Sequence, residues 1–381
     1  MIHDRHIPGD IKYQPVAGLQ DVIPMWVADM DFPAPPEVQD TLHKAVDHGI
    51  FGYTETNAEY HSLVAAWHRR RMDWDVQPEW ILPAPGVMFA ISAAIRSMTA
   101  PGDSILICQP VYHLFTKIIS ANDRNLVISE LQLRNGKYEI DFADLEQKIR
   151  SKSVKVFLLC SPHNPVGRVW TREELLEIGR ICQKHHVYII SDEIHSDFVF
   201  DGYRHIPIAS LSEELSAITV TCTALTKTFN LAGIQAANMI ISNPHLRRKI
   251  QHTCHATGFL HLNLMGITAT KAAYQYGEPW LDTLLCYLQD NVKLLRDFCN
   301  SSNGKLSLIE PEGTYLMWLD CRNLRISDAE LKALFLEKAR VRLNNGYIFG
   351  AGGSGFVRMN IACPKSVLQT ALGRIGKALD L

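Results

Sequence analysis

From residue 80 to residue 242, short apolar runs alternate with segments whose apolar positions recur every three or four residues. The runs at 80–82, 104–108, 126–131, 154–160, 187–191, 217–222 and 235–242 predict strands. Helical spacing fills gaps between them at 87–98, 112–121, 141–150 and 171–185. Asp141 suits an N-cap, and Glu173 and Glu174 favour the start of the helix at 171. This succession predicts βαβ units and an α/β fold with a mostly parallel sheet covered by helices on both faces.

The flanks read differently. Residues 1–35 are a polar arm in which Pro33, Pro35 and Pro36 hold off a helix until Glu37. That helix runs to His48 and stops at Gly49. Phe51-Gly52-Tyr53-Thr54 is a loop, and a second helix reaches about Arg71 with Leu63 and Trp67 on one apolar face. Residues 246–300 are helix-rich with breaks near Gly258 and Gly277. Gly304 opens a smaller α+β pattern: strands near Leu306 and at 315–319, a helix at 327–338, a strand at 356–360 and a final helix from Lys365. The expected division is an arm contributing to the small domain (1–45), a large domain (46–280) and a small C-terminal domain (281–381).

Composition narrows the function classes. A chain of 381 residues, 47% hydrophobic and 20% charged, buries a large core and is neither disordered nor fibrous. The 38 basic and 40 acidic residues leave a net charge of −2, which offers no footprint for nucleic acid or anionic membrane. No run of ~20 apolar residues suggests a membrane span. Nine scattered cysteines without a CxxC pair read as reduced thiols. With no signal-peptide pattern, the expected location is the cytoplasm. The sixteen histidines come without a matching ligand set, so no metal site is expected.

Candidate chemistry gathers at three strand ends. Lys227 follows the run at 217–222 and is walled by Leu225, Phe229 and Leu231. Desolvation lowers a lysine pKa, and a neutral amine is the nucleophile that forms a Schiff base with an aldehyde; a lysine snorkelling from a helix start is the plain alternative. Asn164 lies between Pro162 and Pro165, which fix the backbone around it and aim its amide. Asp192 closes the strand at 187–191, where a buried carboxylate needs a partner such as a protonated pyridine nitrogen, or serves as a helix cap. Gly86 and Val87 open a helix whose free amides suit an anion.

In the order Asn164, Asp192, Lys227, these residues resemble the fold-type-I aminotransferase superfamily of pyridoxal 5′-phosphate (PLP) enzymes. The resemblance covers nearly the whole chain. Its sharper form is the C–S β-lyase branch, of the cystathionine β-lyase and cysteine desulfhydrase type. The residues carrying that form are Pro24-Met25-Trp26-Val27-Ala28-Asp29-Met30-Asp31-Phe32, Phe51-Gly52-Tyr53, Ser191-Asp192-Glu193-Ile194-His195 and Gly355-Phe356-Val357-Arg358-Met359-Asn360.

The resemblance implies a large domain with a seven-stranded, mostly parallel sheet and a smaller α+β domain. It implies that Lys227 carries PLP and moves the substrate protons, that Asp192 keeps the pyridine nitrogen protonated, and that Asn164 bonds the phenolic oxygen. Tyr112 takes the place of the aromatic that stacks on the ring, or else fills core. Gly86, Val87, Thr223 and Thr226 are phosphate candidates. His195 stands where aminotransferases usually have a tyrosine, and reads equally as a satisfied polar histidine. Arg358 suits a substrate carboxylate or a surface salt bridge. Asp29 and Tyr53 join it as substrate-binding candidates. Tyr53 also implies a symmetric homodimer with shared sites, since the family's equivalent reaches the neighbouring subunit's phosphate.

The chain departs from the broad aminotransferase signature at Ala224, where Gly or Ser is usual, and at Gln235, where arginine is usual. Asn345 replaces a usual proline and predicts a looser loop. The expected reaction is α,β-elimination on cystathionine, cysteine or other S-substituted cysteines, giving a thiol or sulfide, pyruvate and ammonia. An aminotransferase, or a regulatory or binding protein retaining the fold, are the alternatives.

Overall fold

A computed structural model describes Arg5 and residues 9–381. Seven strands form the central sheet: β1 (Ile81–Ala84), β2 (Ser104–Gln109), β3 (Asn125–Glu130), β4 (Val154–Cys160), β5 (Tyr188–Asp192), β6 (Thr219–Thr223) and β7 (Ala237–Ile240). Their spatial order is β1-β7-β6-β5-β4-β2-β3. Only β7 runs against the rest, pairing antiparallel with both β1 and β6. The strand expected at 217–222 begins two residues later, because Glu213–Ile218 form a short helix capped by the Ser212 hydroxyl.

The sheet separates two apolar layers by simple alternation. Along β4, Val156, Leu158 and Cys160 join Ile91 and Phe115 on one face. Phe157 and Leu159 join Ile178 and Trp318 on the other. A strand buried on both faces has to be largely apolar, as β4 is but for the exposed Lys155 near its start. Each fully buried side chain of this kind contributes about 1.5–3 kcal/mol relative to exposure. Helices begin where the sequence offers caps. Asp141 accepts from the Asp144 amide, and Thr171 forms a capping box with Glu174. The first long helix, Pro36–His48, ends at Gly49 in the left-handed region, φ 72°.

A second, wholly antiparallel sheet is built from β8 (Ser307–Leu308), β9 (Leu316–Asp320), β10 (Asn344–Asn345) and β11 (Phe356–Asn360), in the order β8-β9-β11-β10. The expected loosening at Asn345 is not observed: Asn344 and Asn345 pair in register with Arg358 and Val357, so the ladder supplies the rigidity that a proline would have given. The helix expected at 327–338 is α-helical only over Asp328–Ala333 and continues as a π-turn over Leu334–Lys338. The sequence reading missed the hairpin of Gln132–Arg134 and Lys137–Glu139. The N-terminal arm joins the C-terminal part of the chain. Ile23–Pro24 pair in parallel with Val341–Arg342, and the Asn360 amide donates to the Met25 carbonyl at 2.9 Å.

Candidate active site

Ligands in open α/β sheets bind beyond the carboxyl ends of the strands. Val87 follows β1, Tyr112 follows β2, Asn164 follows β4, Asp192 ends β5 and Lys227 follows β6. All five line one cavity of about 430 Å³, together with Ala28, Gly86, His195, Thr226 and Gln235. The parallel sheet therefore converts five separate strand ends into one site.

Lys227 lies in the single helical turn Leu225–Thr228 after β6. Its Nζ donates to the Ala28 carbonyl at 2.7 Å. Burial lowers its pKa below the usual lysine range, with the nearby Asp29 carboxylate opposing and the Arg358 guanidinium adding to the shift. Asp192 is 4% exposed. Its Oδ1 accepts from the Ile194 amide at 3.2 Å, and burial raises its pKa to about 7. A carboxylate held in so apolar a place is short of a cation. His195 is also buried, which lowers its pKa to about 3 and keeps the imidazole neutral. Its ring meets Tyr315 edge-on at 5.9 Å.

Arg358 is 4% exposed, so it is no surface salt bridge. Nη1 donates to Asn164 Oδ1 at 2.9 Å, and Nη2 donates to the Trp26 carbonyl at 2.8 Å and to Asn344 Oδ1 at 2.6 Å. These acceptors are all neutral oxygens, and the guanidinium lies over the Phe349 ring at 4.8 Å. Burial lowers its pKa to about 10. A buried cation surrounded by neutral acceptors has room in its electrostatics for an anion.

Four expected site residues lie outside the cavity wall: Arg358, which reaches it through Asn164, and Thr223, Asp29 and Tyr53. Thr223 is buried at the end of β6 and is not part of the wall. Asp29 turns into an ion cluster, meeting Arg5 Nη2 at 2.9 Å and Lys12 Nζ at 3.4 Å. Tyr53 is fully exposed on the single chain, as are most of its loop neighbours. The sequence reading missed Tyr315, whose hydroxyl donates to the Ala28 carbonyl at 3.1 Å. It also missed Asn230, which bonds Met30 in both directions, and Asn360. Their spacing was a usable signal: Asn230 lies three residues past Lys227 and Asn360 two past Arg358.

The residues present fit PLP. The cavity suits a ring of that size, Asp192 lacks a cation on its floor, and a lysine of lowered pKa faces it. Gly86 and Val87 start the helix Val87–Met98 at the cavity wall, where free amides favour a phosphate. Gln235, in the left-handed region at φ 55°, occupies the wall where the broad signature has arginine.

Comparison with known proteins agrees with this geometry. The model of the aminotransferase class I and II family matches residues 20–375. A cystathionine beta-lyase, PatB of Bacillus subtilis, is 43% identical over 95% of this chain and 94% of its own. The crystal structure of cystalysin from Treponema denticola, which contains a pyridoxal 5′-phosphate cofactor, superposes with a TM-score of 0.96. It is 38% identical over 100% of this chain and 98% of its own. The PLP-bound C–S lyase from Staphylococcus hominis gives a TM-score of 0.92 at 32% identity, covering 100% and 97%.

Proposed function

Because the chain belongs to the class I and II aminotransferase family, we propose that it is a PLP-dependent carbon–sulfur β-lyase acting on cystathionine, cysteine or other S-substituted cysteines. The observation that carries this reading is the convergence of Lys227, Asp192 and Asn164 from three strand ends on one cavity. When bound, PLP supplies an electron sink that lets the substrate Cα–H bond ionise.

The chain's own residues do the rest. Asp192, short of a cation, holds the proton on the ring nitrogen. Lys227 would hold the cofactor through Nζ, and its amine of lowered pKa is suited to take the Cα proton there. Arg358 orients the substrate carboxylate, and Asn164, whose Oδ1 is held by Arg358, would bond the phenolic oxygen of the ring. Tyr112 would cover the ring face, and Gly86, Val87 and Thr226 would hold the phosphate. His195 stays neutral and so adds no charge to the cavity. A thiolate leaves from Cβ, and the remaining fragment hydrolyses to pyruvate and ammonia.

The fully exposed Tyr53 supports a homodimer in which it reaches the neighbouring site. The two sheets support the division into arm (1–45), large domain (46–280) and small domain (281–381). Free cysteines, nearly all buried, support a reducing, cytoplasmic setting. Among the described residues, no helix is long and apolar enough to cross a membrane.

The test is incubation of the PLP-loaded protein with cystathionine, cysteine and alanine. Cystathionine should give homocysteine and pyruvate with no keto acid added, and alanine should give neither. An absolute requirement for a keto-acid acceptor would make the protein an aminotransferase instead.

A further inference from the structure

Five consecutive backbone carbonyls, from Trp26 to Met30, are each held by a side chain from a distant part of the chain. Trp26 O accepts from Arg358 Nη2 at 2.8 Å, and Val27 O from Asn360 Nδ2 at 2.5 Å. Ala28 O accepts from Lys227 Nζ at 2.7 Å and from the Tyr315 hydroxyl at 3.1 Å. Asp29 O accepts from Asn360 Nδ2 at 2.5 Å, and Met30 O from Asn230 Nδ2 and Arg5 Nη1, both at 2.9 Å. Loops seldom have every carbonyl assigned to a protein donor; most of theirs face water.

Asn360 is the centre of this arrangement. It lies two residues after Arg358 in β11, so both side chains leave the same face of the strand. Its single amide nitrogen bridges the carbonyls of Val27 and Asp29, the same two-residue spacing on the facing N-terminal segment. Its Oδ1 accepts from the Ala362 amide at 2.8 Å, which fixes the amide plane. Asn360 is 2% exposed and does not itself line the cavity. The carbonyl between its two acceptors is Ala28 O, the oxygen that holds the Lys227 amine.

We propose that Asn360 is a positioning residue for the lyase site: by clamping the segment 26–30 it sets the Ala28 carbonyl against Lys227 and the Trp26 carbonyl against Arg358, fixing both side chains in register with the substrate. This rests on the lyase reading, but the clamp itself is measurable without turnover. Met30 N donates to Asn230 Oδ1 at 3.0 Å and Asp31 N to the Ala362 carbonyl at 2.9 Å, so both amides are protected only while the segment is seated. A serine at 360 cannot bridge two carbonyls, whereas a glutamine keeps the donor pair on a longer stem.

The experiment uses PLP-loaded full-length wild type, Asn360→Ser and Asn360→Gln. It measures hydrogen exchange at Met30 and Asp31, the absorbance of the lysine-bound cofactor, and KM and kcat for S-methylcysteine. In Asn360→Ser we expect an unchanged cofactor band, exchange at both amides faster by tenfold or more, and KM raised about tenfold while kcat falls less than threefold, the pattern of lost substrate binding shared by ground and transition states. Asn360→Gln should recover part of the KM. Unchanged exchange, or faster exchange with unchanged KM, overturns the proposal. If no variant turned over any thioether while exchange still rose in Asn360→Ser, the clamp would stand and the lyase reading would fall. Should the position-360 variants not fold, Tyr315→Phe, which removes only the second donor to Ala28, is judged by the same exchange and KM readouts.

Discussion

Asn164 and Arg358, 194 residues apart in the chain, meet through a buried hydrogen bond of 2.9 Å from Nη1 to Oδ1. One residue comes from the turn after β4 and the other from the middle of β11, so this bond ties the two sheets together at the cavity's edge. Arg358→Lys keeps the charge but loses the planar fork that serves several acceptors at once. A charge-assisted hydrogen bond contributes about 1.5–3 kcal/mol, so KM for a cysteine thioether should rise roughly 10- to 100-fold with the cofactor absorbance retained. Steady-state kinetics beside an absorbance spectrum decides it, and an unchanged KM would remove Arg358 from the substrate site.

Lys227→Ala should lower elimination by at least about 10³-fold, because it removes both the covalent attachment and the proton carrier. The variant should still fold, since the turn Leu225–Thr228 is anchored by the Thr228 hydroxyl donating to Asp197 Oδ2 at 2.7 Å. Circular dichroism and a pyruvate assay on the same preparation separate loss of chemistry from loss of fold.

The raised pKa of Asp192, about 7 against an ordinary 3.8, predicts a pH dependence of the cofactor-free protein. The unfolded chain loses this proton near pH 4, whereas the folded chain keeps it until about pH 7. Between those values the folded state binds more protons, so stability falls as pH rises, and the fall ends above pH 7. The loss from this one group amounts to a few kcal/mol. Asp192→Asn should abolish that part of the slope. Urea unfolding of cofactor-free wild type and variant from pH 4.5 to 8 measures the difference, and parallel curves would refute it.

If Tyr53 completes the neighbouring subunit's site, two different inactive variants should rescue one another. Tyr53→Ala and Lys227→Ala each damage a different part of a shared site. Random subunit exchange in an equal mixture makes half the molecules mixed dimers, each with one intact site, giving about a quarter of wild-type activity. Sedimentation confirms the dimer, and no gain of activity on mixing would place Tyr53 outside the neighbouring site.

The sequence by itself determined the sheet, the strand ends and the chemistry they carry. Apolar runs such as 154–160 have to be buried on both faces, and helices between them leave a parallel sheet as the solution. Asn164, Asp192 and Lys227 were legible because each sits within a few residues of a strand end, where position along the chain fixes position in space. Antiparallel β7 was not legible, since a short apolar strand carries no mark of its direction. Only the tertiary structure decided contacts of long separation. The Ala28 carbonyl beneath Lys227, the Asn360 bridge and the burial of Arg358 among neutral oxygens join the arm, the second sheet and the first sheet to one another. Asp29 turned from the cavity to Arg5 and Lys12 for the same reason: a carboxylate takes whichever cations the fold brings within reach, and local sequence does not say which those are.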